Sequence, residues 1–307
     1  MVGGRGNSAP TFMRGWLVND RLTAIPGTRT LWNHLLTEVP ELVDKTTGTY
    51  AGLAESIEFD AAREAPDYII RNAAYFRWLD VPCPVISFVQ DVLEGSPRTL
   101  LIGACEASRL VVFNSEYTRA AYPELHAADY RIIPIGTDER LFVERDVDKD
   151  GSVLWVGSGH SVKGFNLACQ LAIESARPWV FVLKDDAKVP PIGTVYRRIP
   201  QWRLAELASA AAVGVCTSRE ETQHLAGIEM GMCGLPLVAT PVGVYHERPM
   251  GAWGMQSDGD WHSCIALAAR LERKAAAAYW RDEGFGLANC MSMWKTTIKS
   301  LEAAHVG

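Results

Sequence analysis

Short apolar runs alternate with amphipathic stretches along nearly the whole chain. GWLVN (15–19), DYIIRN (67–72), PVISFV (84–89), RLVVFNS (109–115) and YRIIPIG (130–136) read as buried strands. After a break they are followed by SVLWVG (152–157), WVFVLK (179–184), TVYRRI (194–199), VGVCTS (213–218) and PLVAT (236–240). Helix-like segments are expected at about 28–38, 164–176, 201–212, 225–233, 261–281 and 289–304, and Ser115 is placed to cap a short helix over EYTRAAY (116–122). Such alternation folds as parallel sheets with helices on both faces, so the expected class is α/β. The polar stretch ERDVDKDGS (144–152) interrupts it, and the domain linker belongs there. Ligands of open α/β sheets bind at the carboxyl ends of the strands, so chemistry is expected in a cleft between the two sheets.

A length of 307 residues suits two such domains. The net charge of -6 counts against a broad polyanion-binding surface. The seven cysteines are scattered and form no Cys-x-x-Cys, which points to buried free thiols rather than a zinc knuckle or redox pair. No apolar run reaches the roughly 18 residues of a membrane span, and MVGGRGNSAPTF (1–12) lacks the apolar core of a secretory signal. The expected location is the cytoplasm.

Two segments carry the chemistry. VLWVGSGHSVKGFN (153–166) runs from a strand through a loop of small residues to a lysine, a glycine and a helix. A P-loop needs a glycine before its lysine and a serine or threonine after it; here Val162 and Gly164 flank Lys163. Val162 also stands where a dinucleotide fingerprint needs its third glycine. The turn can still aim free N–H groups at a phosphate. CTSREETQHLAGIEMGMCGLPLVATPVG (216–243) puts Glu221 in a loop after a strand and Glu229 inside the helix that starts near Leu225. A carboxylate accepts two hydrogen bonds from adjacent hydroxyls, so the pair suits a diol-bearing ligand. His160, His224 and His246 lack metal-ligand spacing, and DVD (146–148) lies in the linker rather than at a strand end, so no metal site is expected. Trp155, Trp179 and Trp202 read as core or helix packing. Core packing is also expected for Trp253, with stacking on a base or sugar as its alternative.

The stretch SREETQHLAGIEMGMCGLPLVATPVG (218–243) resembles the signature of retaining, family-4-type glycosyltransferases of the GT-B fold. VLWVGSGHSVKGFNLACQLA (153–172) resembles the opening of that family's donor domain. VVFNSEYTRAAY (111–122) and RIIPIGTDERLF (131–142) resemble the segments that close its N-terminal domain, and NDRLTAIPGTRTLWNHLL (19–36) is a looser match to its first glycine-rich loop, with Gly27 as the glycine. The likeness is good over about 84–245 and weak elsewhere. It implies two Rossmann-like parallel-sheet domains facing a cleft: an acceptor domain over 1–143, a donor domain over 144–288, and a C-terminal helix (289–307) packing back on the first.

The resemblance also implies roles. Lys163 would hold the diphosphate of a nucleotide-sugar, with UDP the expected nucleotide, and Glu229 would grip the ribose. Glu221 and the backbone N–H groups of Thr222, Gln223, His224 and Leu225 would touch the donor sugar and phosphate. Arg198 and Ile199 would lie beside the base. Lys163, Glu221 and Asp91 are the catalytic candidates. No cofactor or metal is expected, the nucleotide-sugar being a co-substrate. The sequence departs from the pattern at three places. Ser158 replaces an arginine, whose phosphate contact would fall to His160 or Arg21. ETQH (221–224) replaces Glu-Gly-Phe-Gly, so Gln223 or His224 would read the sugar. Gln90 and Asp91 replace a histidine-containing motif; Gln90 would bind an acceptor hydroxyl, and Asp91 would act as base or positioning group. The acceptor stays open among glycans, small molecules, proteins and modified nucleic-acid bases. The short N-terminal domain also fits phage-type enzymes that glycosylate hydroxylated DNA bases, with Arg63, Arg71, Arg77 and Arg98 available for a groove. A non-catalytic nucleotide-sugar-binding protein and a sugar-nucleotide epimerase are the other readings.

Overall fold

A computed structural model of the chain describes residues 13–19, 26–48, 54–72, 79–126, 128–246, 248, 250–257 and 259–303. It divides into two compact units. One comprises Met1–Phe113, Tyr122–Arg131 and Met291–Gly307, the other Asn114–Ala121 and Ile132–Cys290.

In the first unit, β1 (Gly15–Asn19), α1 (Pro26–Glu38), β2 (Val43–Gly48), α2 (Ala54–Glu64), β3 (Tyr68–Asn72), β4 (Val85–Val89), α3 (Gly95–Glu106) and β5 (Leu110–Phe113) follow one another, and β6 (Tyr130–Ile132) closes its sheet; α4 (Glu116–Ala120), between β5 and β6 in the chain, belongs to the second unit. The sheet order is β2-β1-β3-β4-β5-β6. Every residue of β3 is buried, as a central parallel strand requires. Arg71 of this strand is 1% exposed, so it cannot line the nucleic-acid groove considered for it. Arg98 lies over the Tyr122 ring and pairs with Glu124 at 2.7 Å; Arg77 falls outside the described residues. Ser115 caps α4 as expected, accepting from the Thr118 N–H.

The second unit holds β7 (Val153–Gly157), α5 (Phe165–Glu174), β8 (Trp179–Leu183), β9 (Gly193–Arg197), α6 (Gln201–Ala210), β10 (Val213–Cys216), α7 (Leu225–Met232), β11 (Leu237–Ala239), β12 (Gly254–Gln256), α8 (Trp261–Ala268) and α9 (Arg273–Asp282). Its sheet order is β12-β11-β10-β7-β8-β9, and its paired strands are parallel. Side chains of β7 alternate between two layers of core. Val153 and Trp155 meet Phe165, Phe181 and Ile265 under α5 and α8. Leu154 and Val156 meet Leu204, Ile228 and Trp280 under α6, α7 and α9. A last helix, α10 (Leu287–Ala303), puts Trp294 against Phe88 and pairs Lys295 with Glu41 at 2.6 Å.

One side chain ties two helix ends together. The Arg273 guanidinium donates to the carbonyls of Ala208, Ser209 and Ala211 at the end of α6, and of Cys233 at the end of α7. These are carbonyls that helix ends leave without an intrahelical partner.

Several expectations are corrected. The single helix expected at 261–281 is two, because the Glu272 carboxylate accepts from the Lys274 and Ala275 N–H groups and starts a new helix there. Trp253, by contrast, is core as expected, and its alternative of stacking on a base falls away: it is fully buried and stacks on Tyr245 with ring centroids 5.3 Å apart. Trp202 is 55% exposed, not packed away. Five of the cysteines are buried; Cys83 and Cys264 are half-buried. Among the described residues, no helix is long and apolar enough to cross a membrane.

Candidate functional site

In a parallel sheet the loops that follow the strands all emerge at one edge. Residues 158–164 follow β7, 184–192 follow β8, 198–200 follow β9 and 217–224 follow β10, so every candidate of the second unit is collected there.

The loop after β7 is built around Lys163. Residues Ser161–Lys163 make a single 3₁₀ turn, and Gly164, left-handed at φ +65°, joins it to α5. Thr217 clamps this joint. Its hydroxyl accepts from the Trp155 indole N–H at 2.9 Å and donates toward the carbonyls of Lys163 and Gly164 at 3.1 and 3.0 Å. A Cβ on Gly164 would lie 1.9 Å from the Thr217 carbonyl oxygen, so only glycine lets the two loops close to this distance. Ser158 is half-buried and His160 exposed in the same loop, and the Gly159 N–H is held by Asp185 at 2.8 Å.

Fixed in this way, Lys163 donates from Nζ to Glu221 Oε1 at 2.7 Å, and the Ser218 hydroxyl donates to the same oxygen at 2.8 Å. The Glu221 side chain is only 9% exposed. Burial pushes its carboxyl up, but His224, Lys163 and the hydrogen bonds from Lys163 and Ser218 outweigh that and hold it below its usual value. His224 Nε2 lies 3.7 Å from Glu221 Oε1, and its Nδ1 is 2.8 Å from the Tyr245 hydroxyl. Burial lowers the His224 pKa against the pull of Glu221. His224 is also the residue before α7 and sits left-handed at φ 62°. A non-glycine residue in this region costs about 1–3 kcal/mol.

The neighbours of Glu221 face different ways. Thr222 is held by the 114–118 segment, the Asn114 amide donating to its hydroxyl and the Ser115 hydroxyl to its carbonyl. Gln223 is buried, its amide paired with both the N–H and the carbonyl of Ile135 at 2.8 and 2.7 Å. Its side chain braces the loop against the 133–136 segment and is not aimed at the strand edge. Leu225 opens α7, and no side chain caps that end. One turn further on, Glu229 is half-buried and accepts from the Gln201 amide at 3.5 Å. Burial raises its carboxyl to about 7, with Lys184 and Gln201 opposing. Arg198 is exposed and pairs with Asp186 at 2.7 Å, while Ile199 packs on the core below.

Lys163, Glu221 and His224 therefore form one contact group, with Glu229 on the same helix as the group's last loop. Gln90, Asp91 and Gly27 belong to the first unit. Gln90 is buried at the end of β4, the Asp91 carbonyl accepts from the Tyr122 hydroxyl at 2.8 Å, and Gly27 lies in the first turn of α1. Arg21 falls outside the described residues. Thr217 and Tyr245 carry no weight in the sequence reading. Both lie far along the chain from Lys163, and only folding shows what they touch.

Glu229 carries a pH signature. Its folded-state value lies above its ordinary 4.5, so between about 4.5 and 7 the folded state holds a proton that the unfolded state has released. The stability this contributes is present at low pH and lost as pH rises towards about 7. Glu229→Gln removes the penalty. Its unfolding free energy from urea titration at pH 8 is expected to exceed that of the wild type by about 1–2 kcal/mol, with the gap closing at pH 5. A gap unchanged between the two pH values would show that burial does not strain this carboxyl.

Neither a protein-family model nor a curated protein matches the sequence. Solved structures do. Sucrose-phosphate synthase from Thermosynechococcus elongatus aligns with a TM-score of 0.75 at 16% identity, over 95% of this chain and 100% of that one. Anabaena HepE, crystallised in complex with UDP, aligns at 0.77 and 13% identity, over 94% and 100%. The lipopolysaccharide outer core galactosyltransferase WaaB aligns at 0.71 and 9% identity, over 94% and 99%. The two six-stranded parallel sheets with their helices are the GT-B fold of these glycosyltransferases.

Proposed function

We propose that this protein is a glycosyltransferase that moves a sugar from a UDP-sugar to an acceptor hydroxyl with retention of anomeric configuration. The observation that carries the reading is the pairing of Lys163 with Glu221 beside the uncapped start of α7, with Glu229 one turn along. On this reading the Lys163 ammonium and the first N–H groups of α7 face the diphosphate. Both stabilise the negative charge that grows on it as the glycosidic bond breaks. Glu229 accepts from the two ribose hydroxyls, and Glu221 contacts the donor sugar. The departing phosphate oxygen takes the acceptor proton on the same face, and the charge is met without a metal. Gln90 and Asp91 are the acceptor-side candidates. The choice of UDP is supported by HepE, which was crystallised with UDP-glucose.

A thermal-shift panel of UDP-, GDP- and ADP-sugars tests the donor. A ligand at 100 times its Kd adds about 2.7 kcal/mol to the folded state, and UDP-sugars are expected to give the largest rise in Tm. A panel with no shift defeats the reading. Product analysis by NMR tests the mechanism, since an inverted product would assign Asp91 as a base instead. Ser158 in place of an arginine favours a second reading, a protein that binds nucleotide-sugar without turnover. Binding with no transfer or hydrolysis across donors and acceptors would select it.

A further inference from the structure

The Glu221 cluster continues inward past the groups assigned to the donor. Tyr245 is fully buried, and its hydroxyl lies 2.8 Å from His224 Nδ1 and 3.4 Å from Cys216 Sγ. The direction of this chain follows from its outer end. At 3.7 Å the Nε2–Oε1 contact is longer than a hydrogen bond, and it is attractive with the hydrogen on Nε2, the neutral tautomer that turns an N–H rather than a lone pair towards the carboxylate. That leaves Nδ1 as an acceptor, which makes the Tyr245 O–H its donor and the Cys216 S–H the donor to the tyrosine oxygen. In that arrangement the Tyr245 O–H fills the Nδ1 lone pair and holds the orientation of the imidazole.

Two backbone features fit this arrangement. His224 occupies a left-handed position that glycine would hold without strain. Gly227, in the first turn of α7, has no side chain where a Cβ would lie 1.8 Å from the Tyr245 hydroxyl oxygen and 2.7 Å from His224 Nδ1. A helix interior disfavours glycine, yet any larger residue here would break the histidine–tyrosine contact. Strain kept at one position and space kept at another, both around the same hydrogen bond, mark a built device rather than incidental packing.

We propose that Tyr245 and His224 are positioning residues that hold the Glu221 carboxylate in place for the donor sugar. Lys163 and Ser218 hold Oε1 by hydrogen bonds, and His224 Nε2, 3.7 Å from the same oxygen, adds an electrostatic contact. The inference rests on the reading of Glu221 as a donor-sugar contact. It goes beyond that reading in giving the side chains of His224 and Tyr245 a role.

The test uses the full chain with UDP and UDP-glucose as probes, and the variants Tyr245→Phe, His224→Gly and Glu221→Gln. Turnover of UDP-glucose, by transfer or hydrolysis, is expected to fall at least tenfold in kcat for Tyr245→Phe and His224→Gly. Their KM, and their Kd for UDP, should move by less than threefold. Glycine suits the backbone at 224, so a merely structural histidine would give a His224→Gly protein with unchanged kcat and equal or higher Tm. That result, with Glu221→Gln inactive, overturns the inference and leaves the glycosyltransferase reading standing. A wild-type protein that binds neither UDP nor UDP-glucose overturns both. Nitrogen-15 NMR of the histidine ring reads the relay directly in the wild-type protein, without turnover: the Nε2–H tautomer supports it, and the Nδ1–H tautomer overturns it.

Discussion

On the proposed reading, Lys163→Ala is expected to lower kcat for a UDP-sugar by about 10²–10³-fold, the usual cost of removing one preorganised group that faces developing charge. The same change disturbs the unliganded protein. Glu221 is 9% exposed and would lose the cation 2.7 Å from its Oε1. The lysine itself is 36% exposed on its side chain, so the stability loss is moderate, about 1–2 kcal/mol. The sign of its pH dependence is fixed. The folded-state Glu221 carboxyl is held below its ordinary 4.5. Its contribution is therefore present above that value and lost as pH falls through the folded one. Removing the lysine should flatten the acid limb of the stability curve. The double variant Lys163→Ala/Glu221→Gln separates the two effects, since it relieves the orphaned charge and should recover stability without recovering turnover. Recovery of both would mean that Lys163 does no more than neutralise its neighbour.

Gly164→Ala is expected to destabilise the second unit by about 2–5 kcal/mol. Placing a side chain at φ +65° costs about 1–2 kcal/mol. The added Cβ would lie 1.9 Å from a backbone oxygen, that of Thr217, which no rotamer change can move. Forcing it in adds about 1–3 kcal/mol. A lower urea midpoint with an unchanged slope is the expected result. An alanine variant of wild-type stability would show that the Thr217 clamp yields without cost. Donor turnover should fall with stability, because the same clamp holds the Lys163 carbonyl.

The fully buried strands were plain in the sequence because burial on both faces leaves continuous apolar runs, as in YIIRN of β3 and VLWVG of β7. β2, VDKTTG, escaped that reading: it is polar and, among the described residues, lies at the sheet edge beside β1. β12 has three residues, too few for any period to show. The break between α8 and α9 turns on a single acidic cap. At the site, Lys163, Glu221 and Glu229 were legible because each lies in a stretch whose order resembles a known pattern. Tyr245 was not. Its hydroxyl meets His224 only because Gly227 leaves room between them, and no spacing in the sequence encodes that. Gln223 was legible as a polar side chain but not in its direction, which depends on Ile135, far back in the chain.

The fork of Arg273 sets a boundary for anyone redesigning this protein. Both helices that open at the strand edge carrying Lys163 and Glu221 are moored at their opposite ends by one guanidinium, which reaches four carbonyls at once. A lysine, with a single ammonium, cannot span that spread. Loops at the business edge can therefore be exchanged in search of new donors, but position 273, on the far side of the unit, admits only arginine if α6 and α7 are to stay in step.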